Sequence, residues 1–201
     1  MMPIKPGDSS GNLPAGVLLL IIAILFGMTI NGRGERLVGG DGMTRLVEGL
    51  LAKIRHPVLK RMVALWDAKR DDGNRHGRDW PLRDDFDPLE FWFAVGYVSL
   101  IEVEFQPRRR YFFRVDGTRQ VELFGVECTG RYLDEAVTPE GAALAEESYG
   151  AAVATGAPQY HVRDIEFQGR LIRYEVAVLP MSRRGDRVDM LMTVVTPDTA
   201  T

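Results

Sequence analysis

The sequence predicts an α+β fold: a five-stranded antiparallel sheet with short helices on one face, preceded by amphipathic helices and an N-terminal transmembrane-like helix. Three observations carry this. Five segments between Tyr97 and Val195 show period-two alternation or a short apolar run, the marks of strands. The helical spacings fall in two blocks, one ahead of the strands and one between the second and third, an order that favours an antiparallel sheet with segregated helices. Residues 13–30, LPAGVLLLIIAILFGMTI, carry no charge.

After a tail of residues 1–12, the apolar run is long enough to span a bilayer: as a helix it would rise about 27 Å. A cleaved signal peptide fits less well, because Lys5 is the only early basic residue and no Ala-x-Ala follows the run. Basic residues lie after it (Arg33, Arg36, Arg45, Lys53, Arg55), which places the following domain in the cytoplasm. The expected location is the inner membrane, single-pass, or the cytoplasm should translation start near Met28 or Met43.

Residues 31–42 are glycine-rich and read as a flexible linker. Residues 43–96 read as a helical extension. Leu46, Val47, Leu50, Leu51 and Ile54 form one apolar stripe, Pro57 interrupts it, and Val58, Met62, Leu65 and Trp66 form a second. These stripes either pack on the domain's own sheet or pair with another chain. Leu46, Leu50 and Ile54 are the candidate face for a homodimer or a signalling partner protein. Lys69 to Arg83 is charged and turn-rich and reads as a loop. Arg83-Asp84-Asp85-Phe86-Asp87-Pro88 then reads as a helix start, with aspartates to cap amides and proline in the first turn; Leu89, Phe91, Trp92 and Val95 follow.

Residues 97–197 form the expected sheet domain. Ile101, Val103 and Phe105 alternate with Leu100, Glu102 and Glu104. In the second strand Tyr111, Phe113 and Val115 share one face. Asp116-Gly117 reads as a turn in which glycine accepts positive φ. Val121 and Phe124 show helical spacing that stops at Gly125. Thr129-Gly130 turns into a further short helix, and Pro139 to Thr155 reads as a longer one ended by Gly156. Strands follow at Gln159–Ile165, Leu171–Pro180 and Val188–Val195, the last two joined by a hairpin at Ser182–Asp186. The last strand is apolar almost throughout, so it belongs at the centre, covered on both sides.

Four stretches in order resemble a bacterial PAS domain subfamily of single-domain proteins. They are a leading helix with Leu65-Trp66; Pro81-Leu82-Arg83-Asp84-Asp85-Phe86-Asp87-Pro88; the series Arg114-Val115-Asp116-Gly117-Thr118, Glu122-Leu123-Phe124-Gly125 and Thr129-Gly130-Arg131-Tyr132-Leu133; and a closing hairpin from Tyr174-Glu175 to Val188-Asp189-Met190-Leu191. The charged insertion at Asp71–Asp79 and the apolar arm depart from it. The resemblance implies a sensory or regulatory module rather than an enzyme, with a small molecule held between sheet and helices or pairing through flanking helices.

Phe113, Val115, Phe124, Tyr132, Tyr149, Tyr174, Met190 and Met192 are the candidate pocket for an unknown small-molecule ligand. Polar-tipped aromatics and adaptable methionines suit such a ligand, and suit a plain core equally well. No cofactor is identified. Haem needs an axial ligand; the longer helix holds no histidine, and His161, opposite Tyr160 and Val162, is expected to point outward. Cys128 precedes the Gly130-Arg131 turn, whereas a flavin photosensor's cysteine follows it. His56, His76 and His161 lack zinc spacing, and no nucleophile, base and metal converge. Arg108-Arg109-Arg110 reads as a solubilised strand edge, the alternative being attraction of a phosphate, a nucleotide or lipid headgroups. The net charge of −3 gives no general attraction to nucleic acid.

Overall fold

The computed structural model describes residues 40–167 and 169–198. The tail, the apolar run and nearly all of the linker read from the sequence lie outside them. Among the described residues no helix is long and apolar enough to cross a membrane.

Helix α1 (Gly40–Lys53) leads into α2 (Pro57–Arg75). His56 caps α2, its Nδ1 accepting from the amide of Val58 at 3.3 Å, and Pro57 sits in the first turn, where its missing N–H costs nothing. The helix runs on through Lys69–Arg75, into the expected loop. Charge pairs along it explain this: Arg70, buried, meets Asp67 at 2.8 Å and Asp71 at 2.7 Å, and Arg75 meets Asp72 at 3.3 Å. Two 3-10 helices follow, Arg83–Asp85 and Pro88–Tyr97; Asp87 caps the second, accepting from the amide of Leu89 at 2.9 Å.

The sheet comprises β1 (Val98–Glu104), β2 (Arg110–Val115), β3 (Gln159–Phe167), β4 (Arg170–Met181) and β5 (Met190–Pro197). Its order is β2-β1-β5-β4-β3 and all neighbours are antiparallel, with β5 central as its apolar sequence requires. Between β2 and β3 come α3 (Thr118–Phe124), α4 (Leu133–Ala136) and α5 (Pro139–Thr155). Thr138 caps α5, and Gly125 and Gly156 end α3 and α5 in the left-handed region at φ 69° and 65°.

Gly117 departs from expectation. Its φ is −71°, which any residue adopts. Glycine is needed there because a Cβ would lie 2.4 Å from the carbonyl oxygen of Gly96. Close approach of two backbones, not turn conformation, selects it.

Each face of the sheet carries its own apolar layer. Met190, Met192 and Val194 of β5 pack with Leu179 and Met181 of β4 against α1 and α2. Leu191 and Val195 pack with Ile101, Tyr111, Phe113 and Tyr174 against α3–α5. Trp66 of α2 is fully buried in the first layer and donates to the carbonyl of Pro180 at 2.8 Å.

Candidate functional site

Alternation along β1, β2 and β4 directs Ile101, Val103, Tyr111, Phe113, Ile172, Tyr174 and Val176 to the side roofed by α3–α5. The roof contributes aromatic partners. Tyr149 of α5 meets Tyr111 edge to face, ring centroids 5.1 Å apart at 72°, and Phe124 of α3 meets Tyr174 at 5.1 Å and 83°. Of the candidate pocket residues, Phe113, Phe124, Tyr149 and Tyr174 therefore come together in one cluster.

The other four lie elsewhere. Val115, at the end of β2, is 46% exposed. Tyr132 forms an isolated bridge with Phe112, the residue between the two inward positions of β2, so its ring lies on the other side. There it contacts Phe112, lies 3.6 Å under the Arg110 guanidinium, and donates to the Glu104 carboxylate at about 3.0 Å. Met190 and Met192 flank inward Leu191 and so face α1–α2. Of the candidate partner face, Ile54 is fully buried in the chain's own core, and Leu46 and Leu50 are partly buried against it.

His161 is a further correction. It does lie opposite Tyr160, but it is Tyr160 that faces α1–α2; His161 pairs with Val176 and shares its side, under α5. Its Nε2 and the hydroxyl of Tyr111 are both buried without a hydrogen-bond partner among the described residues. Burial, then the nearby Arg163 cation, pushes the His161 pKa down, so the ring is neutral at pH 7. Burial pushes the Tyr111 phenol up to about 12. Arg163 donates to Ser148 of α5, and its charge partly offsets the upward effect of burial on Tyr174. Where α5 passes Tyr111 it carries Gly150; a Cβ there would lie 2.9 Å from the Arg109 guanidinium and 3.7 Å from the Tyr111 hydroxyl oxygen.

The corner beneath α3 is held by Asp116. Its carboxylate accepts from Ser99 Oγ at 2.7 Å and from the amide of Cys128 at 3.1 Å. Burial, then that carboxylate, pushes the Cys128 thiol up to about 12, which makes it a protonated and poor nucleophile at neutral pH. Among the described residues no group of three or more His, Cys, Asp or Glu is arranged to hold a metal ion. Arg108 and Arg110 are paired with Asp134 at 2.7 and 2.6 Å. An open depression of about 330 Å³ at the end of β1 is lined by Val103, Glu104, Phe105, Gln106, Arg183 and Arg187 and takes in none of the candidate pocket residues.

On the opposite side the sheet carries a polar junction that sequence reasoning missed. Glu175 of β4 is fully buried. Its carboxylate accepts from the backbone amides of Arg55 and His56, each at 3.0 Å, and from the Tyr160 hydroxyl at 2.7 Å. The Arg55 side chain reaches Asp198 at 3.2 Å, and Asp198 meets Arg173 at 2.7 Å. An anion thus sits at the amino end of α2, where the helix dipole and unsatisfied amides favour it. In the sequence Glu175 alternates with Tyr174 and Val176 as a polar-face position would, so nothing local signals its burial.

Neutral phenols and a neutral imidazole beside apolar aromatics suit the holding of an uncharged organic group. With this roofed antiparallel sheet they form one closed layer between sheet and helices. The chain belongs to the PAS domain family, whose model matches residues 54–196. Solved structures similar to it include the PAS domain of a protein from Colwellia psychrerythraea (12% identity, TM-score 0.42, 57% of this chain and 100% of that one). Another is the PAS domain of BvgS from Bordetella pertussis (14% identity, TM-score 0.34, 56% of this chain and 87% of that one). No curated protein matches.

Proposed function

We propose that this protein is a membrane-anchored sensory module. It takes up a small uncharged organic molecule between the sheet and α3–α5 and reports it through α1–α2. One observation carries the reading. Consecutive residues of β4 serve the two sides: Tyr174 packs on Phe124 in the roofed layer, and Glu175 holds the start of α2. A ligand that displaces Tyr174 shifts the strand and with it the Glu175 bonds. The ligand's effect is then its differential affinity for the two arrangements. The output is protein–protein interaction, with a second copy or a signalling partner, and no reaction is catalysed. Residues 13–30 hold the protein in the inner membrane with the sheet domain in the cytoplasm, a reading that their apolar length and basic flank support.

Native mass spectrometry of the full chain in detergent tests the reading. A retained or added small molecule, with slower amide exchange at residues 54–58 when it is bound, supports it. A broad metabolite screen with no added mass and no thermal shift would overturn it.

A second reading, a ligand-free dimerisation adaptor, draws on Leu46 and Leu50, which the chain's own core covers only in part. It predicts a dimer, measured by light scattering, that Leu50→Glu dissociates while leaving the fold intact.

A further inference from the structure

The segment Pro88–Tyr97, PLEFWFAVGY, has Glu90 as its one charged residue, yet only Ala94 is fully buried. Leu89, Trp92 and Val95 are 78%, 74% and 54% exposed. A 3-10 helix has three residues per turn, so positions three apart stack in one ridge. The backbone kink at Phe91 (φ −125°, ψ 27°) offsets Leu89 along that ridge without burying it. The ridge is held firmly from behind. Arg61 of α2 lies 3.5 Å over the Phe93 ring, Lys69 of α2 meets Glu90 at 2.7 Å, and Phe91, Phe93 and Tyr97 pack on the α1–α2 layer. A helix apolar on nearly every side is ordinarily covered by something apolar.

We infer that this ridge docks on the surface of a lipid bilayer, with Trp92 at the headgroup level. The inference rests on the membrane-anchor reading above. The uncharged run ends at Ile30, and α1 begins at Gly40. The nine residues between span at most about 30 Å even fully extended. A domain tethered so closely must present some face to the bilayer. Met43 and Val47 of α1 share one apolar cluster with Ala94, so the tether arrives on the ridge's own side of the sheet. Tryptophan is the side chain best suited to that interface. Arg61 and Lys69 stand against Asp87 and Glu90 around the ridge, so the rim is close to neutral and burial of the ridge drives the docking.

The test is the full-length protein reconstituted in phosphatidylcholine vesicles with brominated acyl chains. Flotation reports the anchor, and tryptophan quenching reports the ridge. Trp66 is fully buried and Trp80 half-buried, so the exposed Trp92 is the residue that lipid bromines reach. Quenching that raised salt leaves unchanged, that vanishes in Trp92→Phe, and that weakens in Leu89→Ser/Val95→Ser supports the docking. Flotation without quenching overturns it while leaving the anchor intact. Trp92 shielded in a concentration-dependent way but unquenched overturns it in favour of an interface between copies. Failure to float overturns the anchor and the docking together.

Discussion

Replacing Glu175 by glutamine keeps the volume and removes the charge at the start of α2. One carboxylate oxygen accepts from the His56 amide; the other accepts from the Arg55 amide and the Tyr160 hydroxyl. A glutamine can face only one of these backbone amides with oxygen. Its NH₂ then points at the other amide, while the Tyr160 hydroxyl can turn to accept. One buried backbone N–H is orphaned, at a cost of about 1–3 kcal/mol. The lost anion at the helix terminus adds about 0.5–1 kcal/mol. Relief of the desolvation of a buried carboxylate acts in the other direction and can be comparable. Three short bonds, two of them to backbone, tip the sum to a net loss of about 2 kcal/mol. For a domain of this size that lowers Tm by about 4–8 °C. Calorimetry of wild type, Glu175→Gln, Tyr160→Phe and the double variant measures both the loss and the coupling. Amide exchange should accelerate at Ile54–Val58 before it does in β5. An unchanged or raised Tm in Glu175→Gln would refute the reasoning, because charge desolvation would then outweigh the bonds.

Other outcomes follow from the same geometry. Gly117→Ala forces a Cβ to 2.4 Å from the Gly96 carbonyl oxygen, so the backbones must part; we expect a loss of about 2–4 kcal/mol in chemical denaturation, against about 1 kcal/mol or less were glycine there only for flexibility. Trp66→Ala empties a fully buried site and orphans the Pro180 carbonyl, and should cost about 3–5 kcal/mol. The folded pKa of His161 is lowered, so between that value and the ordinary 6.5 the unfolded chain binds more protons. Stability is therefore full above about pH 6.5 and falls as pH drops through the folded value. Denaturation midpoints across pH 7 to 5 should show a smaller fall in His161→Gln. Cys128, buried and with its thiol pushed up to about 12, should resist a disulfide reagent in native protein and react promptly in denaturant; fast native labelling would contradict its placement.

Much of the fold was legible because its signals are local. Period-two alternation marked β1 to β4, a nearly continuous apolar run marked β5 as central, and Thr138, Pro139 and Gly156 bound α5 as their cap and stop chemistry predicts. Helix α2 ran past its expected end because ion pairs at helical spacing disguised a helix as a charged loop.

The candidate site was legible only in part. Alternation says which residues share a face but not which face is which, and here both are apolar and covered. Met190 and Met192 therefore went to the wrong layer, and His161 to solvent. Pairing register and the placement of α1–α2 and α5 decided those positions. Tertiary structure alone brought Glu175 to amides some 120 residues away in the chain and set Gly117 against Gly96. Sequence by itself determined the elements, their order and the central strand, since each depends on neighbours a few residues apart; the burial of polar groups and the close approach of backbones depend on partners that only folding brings near.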